Sequence, residues 1–226
     1  SKRTMRTGLI CMLLAILFSL PALADNPDTM DKWPYITPLH QGRNAHIRFG
    51  TLHIDPVNLF VQQKPWNFSS PHIQLELCLA EGDKRYETFL WYYKPNDDQW
   101  INNFPKAFGK YLLSLDIDGD SVNLTVDYVK VGDIFVLDIG QNATIGNLNI
   151  KFDGYHTEEY TGVDGRDAGY ITTYSITPSS GDNAAENIPV EYTNENNREM
   201  RSVQLLDHQI EILYASEKFL KLRVRN

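Results

Sequence analysis

The sequence predicts an all-β protein of antiparallel β-sandwich architecture, and three observations carry that expectation. Runs of alternating apolar and polar residues recur along the chain after residue 24, the period of two that marks a half-buried strand. Glycine-containing turns separate several of these runs. No segment in the same region sustains a helical period over three turns. With 42% hydrophobic and 12% aromatic residues among 226, the chain can also build a core, which excludes collagen-like, coiled-coil and disordered classes.

Taken in order, residues 1–24 read as a cleaved export signal. Lys2, Arg3 and Arg6 precede an apolar run from Leu9 to Leu20, Pro21 breaks it, and Ala22-Leu23-Ala24 supplies the small-x-small pattern of a cleavage site. The run is shorter than the roughly 20 residues a membrane helix needs, so no stable span is expected after cleavage. Cys11 lies inside the run rather than at its end, unlike a lipid-anchor signal. Without the signal, Cys78 stands alone and no internal disulfide can form. The expected destination is a bacterial periplasm or the exterior. Residues 25–44 read as an irregular N-terminal segment.

The strands follow. In His72–Ala80, Ile73, Leu75, Leu77 and Leu79 share one face, and His72, Gln74 and Glu76 the other. Leu113, Leu115 and Ile117 mark a second run; Val122, Leu124, Val126 and Tyr128 mark a third. Asp118-Gly119-Asp120 between them is a hairpin turn, with Gly free to take positive φ. Val131-Gly132-Asp133 then leads into Ile134–Ile139, so residues 110–139 read as a three-strand meander. Phe104–Tyr111 is the expected short helical turn. Leu148, Ile150 and Phe152 continue the alternation, and Gln209–Tyr214 with Lys218–Arg225 form a final hairpin. The strand candidates divide into two abutting small sandwiches, 45–130 and 131–226. Two stretches, 153–169 and 178–201, read as irregular, with Ile188–Tyr192 the strand-like part of the second.

Charge narrows the functional classes. The net charge is −8, and loss of Lys2, Arg3 and Arg6 from the 21 basic residues leaves 18 against 29 acidic ones. No basic patch is legible, so nucleic acid is not an expected partner. The run 116–120 resembles a calcium loop only superficially, because Gly stands fourth rather than sixth and no glutamate stands twelfth. A better candidate for calcium, a cofactor not otherwise required, is the 153–169 stretch, whose Asp153, Glu158, Asp164 and Asp167 could supply oxygens. His40, His46, His53 and Asp55 are close in sequence, yet His46 and His53 are seven apart and would face opposite ways on one uninterrupted strand. No nucleophile elbow or phosphate-cradling glycine motif is present.

The aromatic residues supply the candidate ligand surface. Trp66 and Phe68 follow Pro65, and Leu90-Trp91-Tyr92-Tyr93 runs towards Trp100. Consecutive aromatics in a strand cannot all enter one core, so at least one of Trp91, Tyr92 and Tyr93 faces away from it. Trp91, Tyr93 and Trp100 are the expected ligand-binding residues, with the 153–169 stretch beside them. The expected function is an exported, non-catalytic binding or adhesion module for a glycan, a peptide or an envelope protein. Its alternatives are a structural subunit of a cell-envelope assembly and a secreted glycoside hydrolase working through carboxylates. Oligomeric state is not legible.

Overall fold

The computed structural model describes residues 33–63, 72–92, 105–161, 168–180, 183–184, 188–193, 201–205, 207–215 and 218–226. The expected export signal lies outside the described residues, as do Trp66, Phe68, Tyr93, Trp100, Asp164 and Asp167.

In chain order, β1 (Tyr35–Leu39) is followed by β2 (Ile47–Phe49), β3 (Leu52–Gln62), β4 (His72–Glu81) and β5 (Lys84–Tyr92). Next come β6 (Lys106–Phe108), β7 (Tyr111–Asp118), β8 (Ser121–Tyr128) and β9 (Ile134–Asp138). β10 (Asn142–Ile145), β11 (Leu148–Thr161), β12 (Ala168–Ser180), β13 (Asn183–Ala184) and β14 (Ile188–Thr193) precede β15 (Arg201–Leu205), β16 (His208–Ala215) and β17 (Phe219–Arg225). No helix occurs among the described residues, and the all-β antiparallel expectation holds.

Three sheets form. β2-β3-β4-β5 make a four-stranded meander; β10-β11-β12-β13, with β14 also on β12, make a five-stranded sheet. The third is eight-stranded, in the order β1-β8-β7-β6-β9-β17-β16-β15. Its two antiparallel halves join where β6 runs parallel to β9 at Lys106 and Val136, helped by the Val136 amide donating to Pro105 O at 2.7 Å. The joint separates two apolar clusters. Leu75, Leu77, Leu113, Leu115 and Leu124 are buried between the four-stranded sheet and the first half of the large sheet. Phe135, Phe152, Ile176, Ile212 and Leu222 are buried between the five-stranded sheet and the second half. Adjacent residues of β6 serve different clusters, Ala107 the second and Phe108 the first, as side-chain alternation requires.

A polar cluster ties the four-stranded sheet to this joint. The Asp138 carboxylate accepts from Tyr86 Oη, from Thr88 Oγ1 and from Lys106 Nζ, the last two at 2.9 Å. Burial and the neighbouring Asp138 charge push the Tyr86 phenol well above its ordinary range. A buried polar group must find partners or lose its desolvation energy, so this cluster fixes β5 against β6 and β9.

Four expectations need correction. The hairpin at Gly119 forms, with Asp118 opposite Ser121, but residues 110–139 are not a meander. β8 has β1 as its other neighbour, and β9 crosses to β17 and β6. β1 lies in the stretch read as irregular; its Pro38 lacks an amide donor and is tolerated because the strand sits at a sheet edge. The expected helical turn holds instead the short strand β6. The described residues of 153–169 are strand rather than irregular loop: β11 and β12 pair from Leu148–Ser180 out to Thr161–Ala168, with a bulge between Phe152 and Gly154. Within 178–201, β14 matches the strand-like part expected at Ile188–Tyr192, and β12 ends and β15 begins inside the same stretch. The C-terminal hairpin forms as expected, β16 against β17.

Candidate functional site

The four-stranded sheet has one face on a core and one towards solvent. Ile73, Leu75, Leu77 and Leu79 on β4 are buried, while His72, Gln74, Glu76 and Cys78 face outward and are half-buried. Cys78 thus lies opposite its leucines, with Asp55 and Glu87 as cross-strand neighbours. On β5 the order reverses by one residue. Leu90 is buried, Tyr92 packs against the core, and Phe89 and Trp91 are 39% and 45% exposed. The alternation argument for this aromatic run is therefore correct at Trp91.

Register turns single residues into a surface. Phe60, 50% exposed, lies across Gln74 from Trp91, and Phe89 lies on the next outward position of β5. The Phe89 and Trp91 rings are 6.5 Å apart between centroids. Three large rings from two non-adjacent strands thus form one apolar row on a sheet face. Phe60 and Phe89 were not singled out from sequence. The period-two pattern puts each on the polar face of its own strand, but only register shows them near Trp91.

Arg85 and Trp91 are six residues apart on β5, so the opposite end of this face lies about 20 Å away. There the β2–β3 and β4–β5 turns border an open cleft of about 350 Å³, lined by Arg48, Gly50, Thr51, His53, Ala80, Gly82 and Arg85. His53 pairs with Arg48 across β2–β3 and with Ala80 across β3–β4, and Ala80 pairs with Arg85 across β4–β5. One cross-sheet row therefore reads Arg-His-Ala-Arg, with the small Ala80 forming the floor. Each arginine is tethered to a turn: Arg48 Nε donates to Gly50 O at 3.1 Å, and Arg85 Nη1 donates to Gly82 O at 2.7 Å and Lys84 O at 3.0 Å. Gly50 and Gly82 have φ of 54° and 57°, which lets both two-residue turns close tightly.

His46 and His53 meet beside this cleft, Nε2 to Nδ1, at 3.0 Å. The expectation that they face opposite ways assumed one continuous strand. The Gly50-Thr51 turn instead folds β2 back on β3, so residues seven apart become neighbours on one face. Burial is the main reason both imidazoles are held below their ordinary pKa, against a raising effect of Asp55 on His46 and with a lowering one of Arg48 and, on His53, Arg85. Asp55, itself buried, is gripped by Arg43 Nη2 at 3.0 and 3.2 Å.

The expected calcium residues lie on another sheet. Asp153 accepts from Thr177 Oγ1 and sits 3.7 Å from Lys151 Nζ; Glu158 pairs with His156 at 3.1 Å. Both belong to β11, in the five-stranded sheet, not beside Trp91 in the four-stranded one. Among the described residues no three or more His, Cys, Asp or Glu side chains are grouped so as to hold a metal ion.

No protein-family model, no curated protein and no solved structure matches this chain.

Proposed function

We propose that the chain is an exported, non-catalytic binding module, built as two abutting sandwiches, that takes a glycan, a peptide or an envelope protein on the outer face of β2–β5. The observation that carries this reading is the exposed row Phe60–Trp91–Phe89. Aromatic rings exposed on a sheet face give a large contact area at small entropic cost, the feature by which sugar rings and extended chains are gripped. The face is also long enough, at about 20 Å, for a polymeric ligand to lie along it.

The test is the Trp91→Ala variant of the full chain against an array of soluble glycans and peptides. Binding should fall at least tenfold on whichever ligand the unaltered protein retains, with the melting temperature within about 2 °C of the parent. A large drop in melting temperature would show the ring to be structural and would overturn the reading, as would unchanged binding.

A further inference from the structure

We propose that the cleft between the β2–β3 and β4–β5 turns is an oxyanion site, which takes a carboxylate, sulfate or phosphate group between Arg48, Arg85 and His53. The inference deepens the binding reading by naming the chemistry at one end of the face, but its ligand contacts are separate from the aromatic row.

Convergence is the first argument. Arg48, His53 and Arg85 come from three different strands, yet register places them in one row around the floor made by Ala80. A small residue at that position leaves the volume of the cleft open, whereas a larger outward side chain would fill it. The volume, about 350 Å³, lies within the range of small-ligand sites.

The second argument is preorganisation. The turn carbonyls of Gly50 and Gly82 hold the two guanidinium groups in place. Both bonds from Arg85 leave through Nη1, so the Nε and Nη2 donors of the same plane are not spent on the turn. A guanidinium with two adjacent donors matches the geometry of an oxyanion.

The third is charge balance. On a chain of net charge −8, this end of the sheet brings two arginines together. Four acids lie near this end of the sheet, Asp55, Glu81, Asp83 and Glu87, and one of them is engaged by another cation. Asp55 is bound by Arg43, and Glu81, which accepts from the Thr51 hydroxyl at 3.1 Å, reaches to within 3.8 Å of a Cβ at Gly109 on the opposing sheet. Asp83 and Glu87 are exposed and Lys84 adds a further cation at the turn.

The histidine pair then has a definite part. His46 Nε2 and His53 Nδ1 lie 3.0 Å apart, so protonation of the pair adds positive charge beside the two arginines. The charge of a bound oxyanion favours protonation of His53.

The experiment is a titration of the full chain with sodium phosphate, sodium sulfate and sodium glucuronate at fixed ionic strength, followed by the histidine ring resonances. At least one of the three should give saturable shifts at His53 and raise its apparent pKa, and the preferred anion distinguishes phosphate-, sulfate- and carboxylate-bearing ligands. Arg48→Gln and Arg85→Gln should each weaken the saturation, and the double variant should weaken it at least tenfold with the melt retained. Shifts that rise linearly with every salt would overturn the proposal. So would saturation that survives in the double variant. If Arg85→Gln unfolds the β4–β5 turn, Arg48→Gln alone decides. Anion binding lost while Trp91-dependent binding remains would sink this inference only; the reverse outcome would sink the function proposed above and leave the anion site standing.

Discussion

The outer face of β2–β5 and the outer part of β11 in its hairpin with β12 both carry charged and aromatic side chains, yet they are built differently. The face lies directly over a core: every outward residue on β4 alternates with a leucine or isoleucine that is buried. The hairpin leaves its core at the bulge after Phe152, and from Tyr155 to Thr161 no residue on β11 is fully buried. On the face, side chains from four strands are held in register by what lies beneath them. On the outer hairpin, β11 carries no fully buried residue and is held through its ladder to β12, which β14 flanks on the other side. A site needs several groups fixed relative to one another, and the difference in support favours the face.

The largest expected effect tests that support. Leu75 is fully buried beneath Gln74 and between Leu59 and Leu90. Leu75→Ala should cost about 2–5 kcal/mol, through lost transfer energy and the cavity left behind. For a protein of this size that lowers the melting temperature by roughly 4–20 °C, since each kcal/mol is worth about 2–4 °C. A scanning-calorimetry shift under about 2 °C would mean that the sheet is not held by this core.

A smaller effect belongs to the hairpin. Gly169 pairs with Tyr160, and a Cβ at Gly169 would come within 2.5–2.7 Å of the tyrosine ring end. The ring covers the glycine, a cross-strand arrangement that compensates for a missing side chain. Gly169→Ala must push the ring away. The cost is limited to about 1 kcal/mol, the scale of one cross-strand pair, because the end of a half-buried tyrosine can swing. Amide exchange should quicken across β11 and β12 near Tyr160 and stay unchanged in β3–β5. Faster exchange in both sheets would break the contrast, because the hairpin would then be coupled to the face.

How much of this was legible depends on which distances are local. Alternation in His72–Ala80 shows which side of β4 is buried, because successive side chains must alternate. The same rule required at least one of Trp91, Tyr92 and Tyr93 to leave the core, and Trp91 does. It could not place Phe60 beside Trp91, since that relation depends on how β3 and β5 each register with β4. It also misplaced β9: a turn glycine at 132 signals a change of direction but not which neighbour the next strand joins. For His46 and His53 the missing fact was a single tight turn, and the Gly50-Thr51 dipeptide was the local sign of it. The stretch 153–169 misled for a different reason. Its glycines and acids resemble a loop, whereas the 14 residues of β11 are held by backbone pairing to β12 that composition does not reveal.

The smallest effect is the dependence of stability on pH, and it bears on the cleft end of the face. Burial lowers the folded-state pKa of His46 and His53 below the ordinary 6.5. Between the lowered values and 6.5 the unfolded chain binds more protons than the folded one, so stability rises with pH in that window and falls as the solution is acidified through it. Above 6.5 both states are neutral at these positions and the contribution is constant. Glu211 adds a separate loss at lower pH. Arg223 and Arg225 hold its carboxylate below 4.5, so its favourable contribution disappears only as pH falls beneath that value. Denaturant melts at intervals between about pH 3 and 8 separate the two. The His46→Gln/His53→Gln variant should flatten the upper part of the curve and leave the acid limb as it was. Phosphate or another bound oxyanion should oppose the upper slope, because an anion beside His53 favours its protonated form in the folded state. An upper slope that is unchanged by both the variant and the anion would mean that the imidazole pair is too solvated to be held at the cleft, and the contrast between a supported face and an unsupported hairpin would then rest on the aromatic row alone.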